Sequence, residues 1–335
     1  MMTKPKVTIV IVNWNGEQFL ERCLTTLLAQ TVTPYKIILL DNASSDGSVE
    51  IVRRFPSVQL LAQDSNTGFA RGNNLAIAAI SNESDWIALL NPDAFPEPQW
   101  LEMLLAAVQS RPEFDVFGSK LVSASDPAVL DGTGDTYYMS GLPWRKAHGI
   151  PVSAQDENEC EIFSPCAAAA LYRRSAFEKV GGFDEDFFCY VEDVDLGFRL
   201  RLVGSCCLYV PQSVALHVGS GTTGGKHSDF SVYHGHRNLV WTFVKNMPGV
   251  LFWLLLPLHV ALNVVSIFWF AVRGKGAVIL RAKRDAVLGL PKMWRKRQQL
   301  QKARVASIRD IWRVLDKRLL PTRREFERYR FRHHR

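Results

Sequence analysis

Carboxylates at the ends of apolar runs carry the chemical content of this 335-residue sequence. Asp41 and Asp46 follow the run KIILL in DNASSDGS, and Asp93 follows WIALL in LLNPDA. Glu192, Asp193 and Asp195 sit together in YVEDVDLGFRLR, and His217 closes the apolar stretch ALH. A carboxylate at a strand end beside a proline turn can hold a divalent cation, which in turn binds a diphosphate. An imidazole can complete that coordination. Taken alone, LLNPDA reads first as a buried strand running into an Asn-Pro turn, and a lone His reads first as a satisfied structural residue. In EDVDLGFRLR, helical spacing brings Glu192, Asp195 and Arg199 to one face and turns Asp193 about a quarter-turn away. These carboxylates are either helix-start charges paired with Arg199 and Arg201 or working groups; the spacing serves both.

Other chemistries find no support. No GxGxxG follows the first strand, which removes the main signature of a dinucleotide oxidoreductase. SGTTGGKHS places Ser220 where a P-loop needs its first glycine and His227 where it needs Ser or Thr. No Ser-His-Asp or Cys-His arrangement stands out. The six cysteines form no CxxC, which fits burial as small hydrophobes in a reducing compartment.

The elements that must position the carboxylates alternate. KVTIVIVNW, YKIILLD, VQLLAQ and DWIALLNPD read as strands, and GEQFLERCLTTLLAQ, VEIVRRF and GFARGNNLAIAAI as helices. Alternation through residue ~122 predicts an α/β fold with a mostly parallel central sheet and flanking helices. Ligands of such sheets bind beyond the carboxyl ends of the strands. The polar clusters NWNG, DNASSDGS, QDSNTGFARGNN and NPDA should therefore meet at one edge. Residues ~123–232 are less regular, with separate strands expected at CCLYVP and ALHVG.

In order, IVIVNWNG, LLDNASSDGS, NTGFARGNN, LLNPDA, GGFDEDFFCYVEDVDLGFRLR, HVGSG and YHGHRN resemble glycosyltransferase family 2, and most of all its bacterial rhamnosyltransferase branch. The resemblance covers about residues 7–238. It implies a GT-A fold and an inverting sugar transfer from a nucleotide diphosphate donor, aided by Mg²⁺ or Mn²⁺. It implies that Asn13 and Asp41 meet the base and ribose, and that Asn66, Gly68, Arg71 and Asn73 line the base and diphosphate side. Asn91 stands where many relatives carry an aspartate, on the donor side. Asp93 becomes the metal ligand, His217 a further ligand and Asp193 the general base. Asp184 and Glu192 become acceptor contacts, although Asp184 reads equally as part of a turn. The acceptor class implied is a polyprenyl-diphosphate-linked or growing cell-surface glycan. A processive synthase would carry Gln-x-x-Arg-Trp and several spans, and neither is present. A non-catalytic sugar-nucleotide-binding or scaffold protein on the same fold is the alternative, favoured slightly by Asn91 and opposed by Asp93 and Asp193.

Charge divides the chain. From Arg273 onward there are 21 Lys/Arg against 5 Asp/Glu, a net of +16, so the preceding 272 residues carry −9. Ahead of that tail, residues 250–272 hold no charged side chain. Their length exceeds the ~20 residues that span a bilayer. A single span would carry the tail across, against the positive-inside rule. Pro257, His259 and Asn263 also interrupt the segment. The expectation is a helical hairpin on the cytoplasmic face, with basic residues at anionic headgroups and no nucleic-acid partner. Residues 1–240 are expected to form the sugar-transfer domain and 241–335 the membrane-associated helices.

Overall fold

The computed structural model describes residues 5–80, 84–154, 157–219 and 228–322. Its first half runs Val7–Asn13 (β1), Glu17–Leu28 (α1), Lys36–Asp41 (β2), Ser48–Arg53 (α2), Val58–Ala62 (β3), Gly68–Ala78 (α3), Trp86–Leu90 (β4), Ala94–Pro96 (β5) and Trp100–Ser110 (α4). There follow Val116–Ser123 (β6), Leu130–Gly132 (β7), Asp135–Tyr137 (β8), Pro143–Arg145 (β9), Cys160–Ile162 (β10), Ala169–Arg173 (β11), Arg174–Lys179 (α5), Glu192–Leu202 (α6) and Cys207–His217 (β12). The main sheet has the order β10-β12-β6-β11-β4-β1-β2-β3. β4, β1, β2 and β3 pair in parallel, as do β6 and β12, while β11 runs antiparallel between β4 and β6.

Every residue of β1 and β4 is buried, which explains why these strands show no polar alternation. Their two faces feed two cores. Ile9 and Ile11 join Leu20, Leu24, Leu27, Trp100 and Leu104 of α1 and α4. Val10 and Val12 face Ala70, Ala76 and Ile77 of α3. CCLYVP and ALH, expected as separate strands, form one 11-residue strand whose register against β6 shifts between Val210 and Val214. Pro211 falls within that shift, where the lost ladder donor is tolerated. The six cysteines are all free.

The C-terminal region comprises Asp229–Asn246 (α7), Gly249–Phe270 (α8), Gly276–Leu288 (α9), Leu290–Ala303 (α10) and Ile308–Val314 (α11). The domain boundary expected at 240 falls inside α7, which runs through it unbroken. Between α8 and α9 the chain turns at Arg273 and Gly274, where Gly274 takes φ 75°. α9 then lies against α7 as well as α8. The polar residues that interrupt the apolar segment point inward: a His259 ring nitrogen lies 2.9 Å from the Ser140 carbonyl, and Asn263 accepts from Lys283 of α9. The opposite face of α8, with Trp253, Leu254, Val264, Val265, Phe268 and Trp269, is exposed. Gly249–Leu288 is long and apolar enough to cross a membrane by length and composition.

Part of the basic tail is not a free arm. Lys296 of α10 and Lys245 of α7 both bind Asp184, Lys292 and Lys296 bind Asp186, and Arg297 donates to the Val244 carbonyl at 3.0 Å. Acidic body and basic tail thus meet within the chain.

Candidate active site

The strand ends do meet. A cleft of about 310 Å³ is lined by Trp14 after β1, Asn42 after β2, Asn66 and Gly68 before α3, and Asn91 and Asp93 after β4. Asp131, Arg145, Phe188, Tyr190, Glu192, Asp193, His217 and Phe230 complete its wall. Asn42 builds the turn at 66–68: its Nδ2 donates to Asn66 Oδ1 (3.0 Å) and the Gly68 carbonyl (3.1 Å), and its Oδ1 accepts from Thr67 N–H (2.9 Å). Gly68 takes φ 83°, and a Cβ there would lie 2.6 Å from the Phe188 ring. Only glycine satisfies both constraints.

Sheet register brings Asp93 to His217. β5 pairs antiparallel with β12, with His217 opposite Ala94, and Val218 N–H donates to the Asp93 carbonyl at 3.0 Å. His217 Nε2 consequently lies 3.4 Å from Asp93 Oδ1. Adjacent ligands of an octahedral ion at about 2.1 Å are about 3 Å apart, so this spacing suits two neighbouring coordination positions. Both side chains are buried, and His217 Nε2 and Asn91 Oδ1 have no hydrogen-bond partner. Asn91 Oδ1, the Asp93 carboxylate and His217 Nε2, whose proton a cation would displace, form a donor set at one cleft that fits Mg²⁺ or Mn²⁺. Burial opposes charging of His217, but Asp93 and then Asp131 outweigh it and push its pKa up to about 9.

Asp193 stands at the start of α6. It accepts from Val194 N–H (2.8 Å) and Ala167 N–H (3.3 Å). Burial raises its pKa, against the opposing charge of Arg145. Burial and the Asp193 charge hold Glu192 well above the usual carboxylate range. Burial also pushes Asp135 up to about 7, Arg145 pulling down while Asp193 and Asp131 add to the rise. The approach to α6 is strained: Phe188, Tyr190 and Val191 have φ 63°, 69° and 68°. For a β-branched valine this is an outlier. Asn238 of α7 holds the bend, its Nδ2 donating to the carbonyls of Phe187 (2.9 Å), Cys189 (2.9 Å) and Tyr190 (2.7 Å).

Of the residues singled out from sequence, the cleft gathers Asn66, Gly68, Asn91, Asp93, Glu192, Asp193 and His217. It does not gather the others. Asn13 and Asp41 are buried and bonded to each other (2.9 Å), while Trp14 and Asn42 line the wall. Asn73 is buried and donates to the Phe69 carbonyl within α3. Arg71 lies 3.8 Å from Glu185 with half its side chain exposed. Asp184 belongs to the Lys245–Lys296 cluster, Asp195 pairs with Arg199 (2.8 Å) and Lys245 (2.7 Å), and Asp46 accepts from Glu17 N–H (3.0 Å). The P-loop-like stretch at 220–227 lies outside the described residues. Asp131 and Arg145 were missed; LDGTGDTYY showed its aspartates but not which of them faces the cleft.

Residues 8–181 match the profile of Glycosyl transferase family 2, just over half of the chain. The chain belongs to that family. Within glycosyl transferase family 2 it is 32% identical over 237 residues to the N-acetylglucosaminyl-diphospho-decaprenol L-rhamnosyltransferase of Mycobacterium tuberculosis, covering 64% of this chain and 77% of that protein. It is 29% identical to the rhamnosyltransferase WbbL of Escherichia coli, covering 63% of this chain and 83% of that one. The fold is GT-A, as in the mannosyltransferase PcManGT from Pyrobaculum calidifontis in complex with GDP-Man and Mn²⁺ (TM-score 0.53, 17% identity, 93% of this chain and 88% of that chain). GalNAc-T7 with UDP, GalNAc and Mn²⁺ is similar over 73% of this chain and 48% of its own (TM-score 0.58, 14% identity).

Proposed function

We propose that this family 2 member is an inverting, cation-dependent glycosyltransferase working at the cytoplasmic face of a membrane. The observation that carries the reading is one cleft holding a buried carboxylate of raised proton affinity, Asp193, beside the Asp93–His217–Asn91 donor set. An acceptor hydroxyl attacks the anomeric carbon, the bond from that carbon to the diphosphate oxygen breaks, and Asp193 takes the hydroxyl proton. One base suffices, because inversion needs no enzyme nucleophile. Asp93, His217 and Asn91 would hold Mg²⁺ or Mn²⁺, which supplies positive charge to the departing diphosphate. Trp14, Asn42, Asn66 and Gly68 would receive the nucleotide. Asn13 and Asp41 would act beneath them, by shaping those turns.

Likeness to the two rhamnosyltransferases supports L-rhamnose as the sugar transferred, and dTDP-L-rhamnose is the donor proposed for it. The decaprenyl-diphosphate acceptor in the name of the mycobacterial relative supports a polyprenyl-diphosphate-linked or growing cell-surface glycan as the acceptor. The outer face of α8 supports attachment to the leaflet that carries such an acceptor: Trp253 is 63% and Phe268 67% exposed. Burying each large apolar side chain fully is worth about 1.5–3 kcal/mol. Arg273 lies over the Trp269 ring at 3.5 Å, placing a cation beside the apolar stripe, and Arg281 and Arg284 are exposed on α9. Cations near an anionic surface add about 1 kcal/mol each. The return of α9 onto α7 supports a hairpin lying in one leaflet.

The test is acceptor-dependent release of dTDP from dTDP-L-rhamnose, using N-acetylglucosaminyl-diphospho-polyprenol in vesicles with Mn²⁺. Release that requires both acceptor and cation is expected. Donor binding without turnover, over a panel of nucleotide sugars and lipid-linked acceptors, would instead favour a sugar-nucleotide-binding protein.

A further inference from the structure

We propose that Asp131 is a positioning residue that fixes the His217 imidazole so that Nε2 faces the cation; this rests on the cation reading of the cleft. Asp131 Oδ2 lies 2.8 Å from His217 Nδ1 and 2.9 Å from Arg145 Nη1. Both His217 and Asp131 are 5% exposed, so water does not compete for the bond. A carboxylate at Nδ1 holds the proton there, which leaves the Nε2 lone pair for a metal and fixes the plane of the ring. Nε2 is the atom found without a hydrogen-bond partner, 3.4 Å from Asp93 Oδ1.

Asp131 is not itself placed as a ligand. Its Oδ2 already takes two donors, and its other oxygen lies 3.5 Å from His148 Nδ1. Its position is built into the sheet. β6 pairs with β12 through Ser123 opposite His217, and with β7 through Leu121 opposite Gly132 and Val122 opposite Leu130. One strand therefore sets both ends of the Asp131–His217 bond. β11 pairs with β6 only over Val116–Gly118, which frees the farther part of that edge for β7.

Mn²⁺ binding, read by the electron paramagnetic resonance of the free ion with and without dTDP, tests the assignment without turnover. Asp131→Asn should weaken Mn²⁺ binding 10–100-fold, the range for lost outer-shell partners of metal ligands. Because it acts through His217, it should add little to the loss in His217→Ala. In wild-type protein loaded with Mg²⁺, the ¹⁵N spectrum should show His217 protonated at Nδ1 and bare at Nε2. Wild-type affinity in Asp131→Asn, a fully additive loss in the double variant, or the opposite tautomer would overturn the proposal while leaving the cation site standing. Absence of Mn²⁺ binding by the wild type with dTDP present would overturn both.

Discussion

Removing the Asn238 amide should separate catalysis from stability. Asn238 is fully buried, and its Nδ2 serves three carbonyls of the bend that delivers Asp193. Asn238→Ala deletes two N–H donors and leaves at least two buried carbonyls short of a partner, at about 1–3 kcal/mol each. The deficit is about 2–6 kcal/mol if nothing moves. The bend, however, holds Phe188, Tyr190 and Val191 at positive φ, and strain of that kind is worth about 1–3 kcal/mol per residue. Relaxing even one of them returns a comparable amount. Local rearrangement thus competes with rigid retention, and the net loss of global stability should be about 2 kcal/mol or less. Asp193 lies two residues past Val191, in the first turn of α6, so its carboxylate should shift, and a displacement of about 1 Å lowers turnover by about 10²-fold. The assay pairs thermal unfolding with single-turnover transfer at saturating donor, with donor Kd measured separately. A roughly hundredfold fall in turnover with small changes in unfolding temperature and Kd is expected. Wild-type turnover combined with a stability loss of 4 kcal/mol or more would refute the reasoning, and would make Asn238 a core residue with no role in aiming the base.

Three further outcomes follow from the electrostatics and the surface. As the proposed base Asp193 would work deprotonated, and burial raises its pKa, so activity should fall as pH drops through a point above the ordinary carboxylate value of about 3.9. Arg145→Gln should move that acid limb to higher pH and Asp135→Asn to lower pH, as kcat profiles would show; unmoved limbs would contradict the assigned base. Lys245 and Lys296 hold the Asp184 carboxyl below its usual range despite burial, so the ion pairs stabilise above the unfolded pKa and are lost as pH falls toward the folded one. Asp184→Asn should therefore destabilise at pH 7 by about 3–5 kcal/mol, a difference that persists to about pH 4 and shrinks below it in denaturant titrations; full stability at pH 7 would refute it. Replacing both Trp253 and Phe268 by Asp should lower vesicle binding at least tenfold without changing the fold by circular dichroism, and undiminished binding would place the membrane contact elsewhere.

How much could be read from sequence depended on what fixes each side chain. Buried strands and helical spacing fix themselves locally, and the α/β alternation was legible because each element carries its own period. That Asp93, His217 and Asp193 line one cleft was legible through motif order. Asn13 and Asp41 were expected at the ligand but are register partners on β1 and β2, so their side chains share one face and bond to each other. The residue just past each strand, Trp14 or Asn42, reaches the cleft. A one-residue step in a pleated strand changes the face, and no spacing argument resolves that step at a strand end. Asp184 was illegible for a different reason: Lys245 and Lys296 lie 61 and 112 residues away. Asp131 and Arg145 sit on three-residue strands too short to show any period. The inward turn of His259 and Asn263 depended on α7 and α9 being packed against α8, and only the tertiary fold supplies that.

The central claim is that Asp193 takes the proton of an acceptor hydroxyl in a cleft that binds the donor independently of it. Its most direct measurement compares wild type with Asp193→Asn in Mn²⁺-containing vesicles, reading dTDP-rhamnose affinity and rhamnosyl transfer to N-acetylglucosaminyl-diphospho-polyprenol in the same preparations. Donor affinity unchanged within about twofold, with transfer lowered by about 10²–10⁴-fold, is the predicted result. Transfer within threefold of wild type in Asp193→Asn would contradict it.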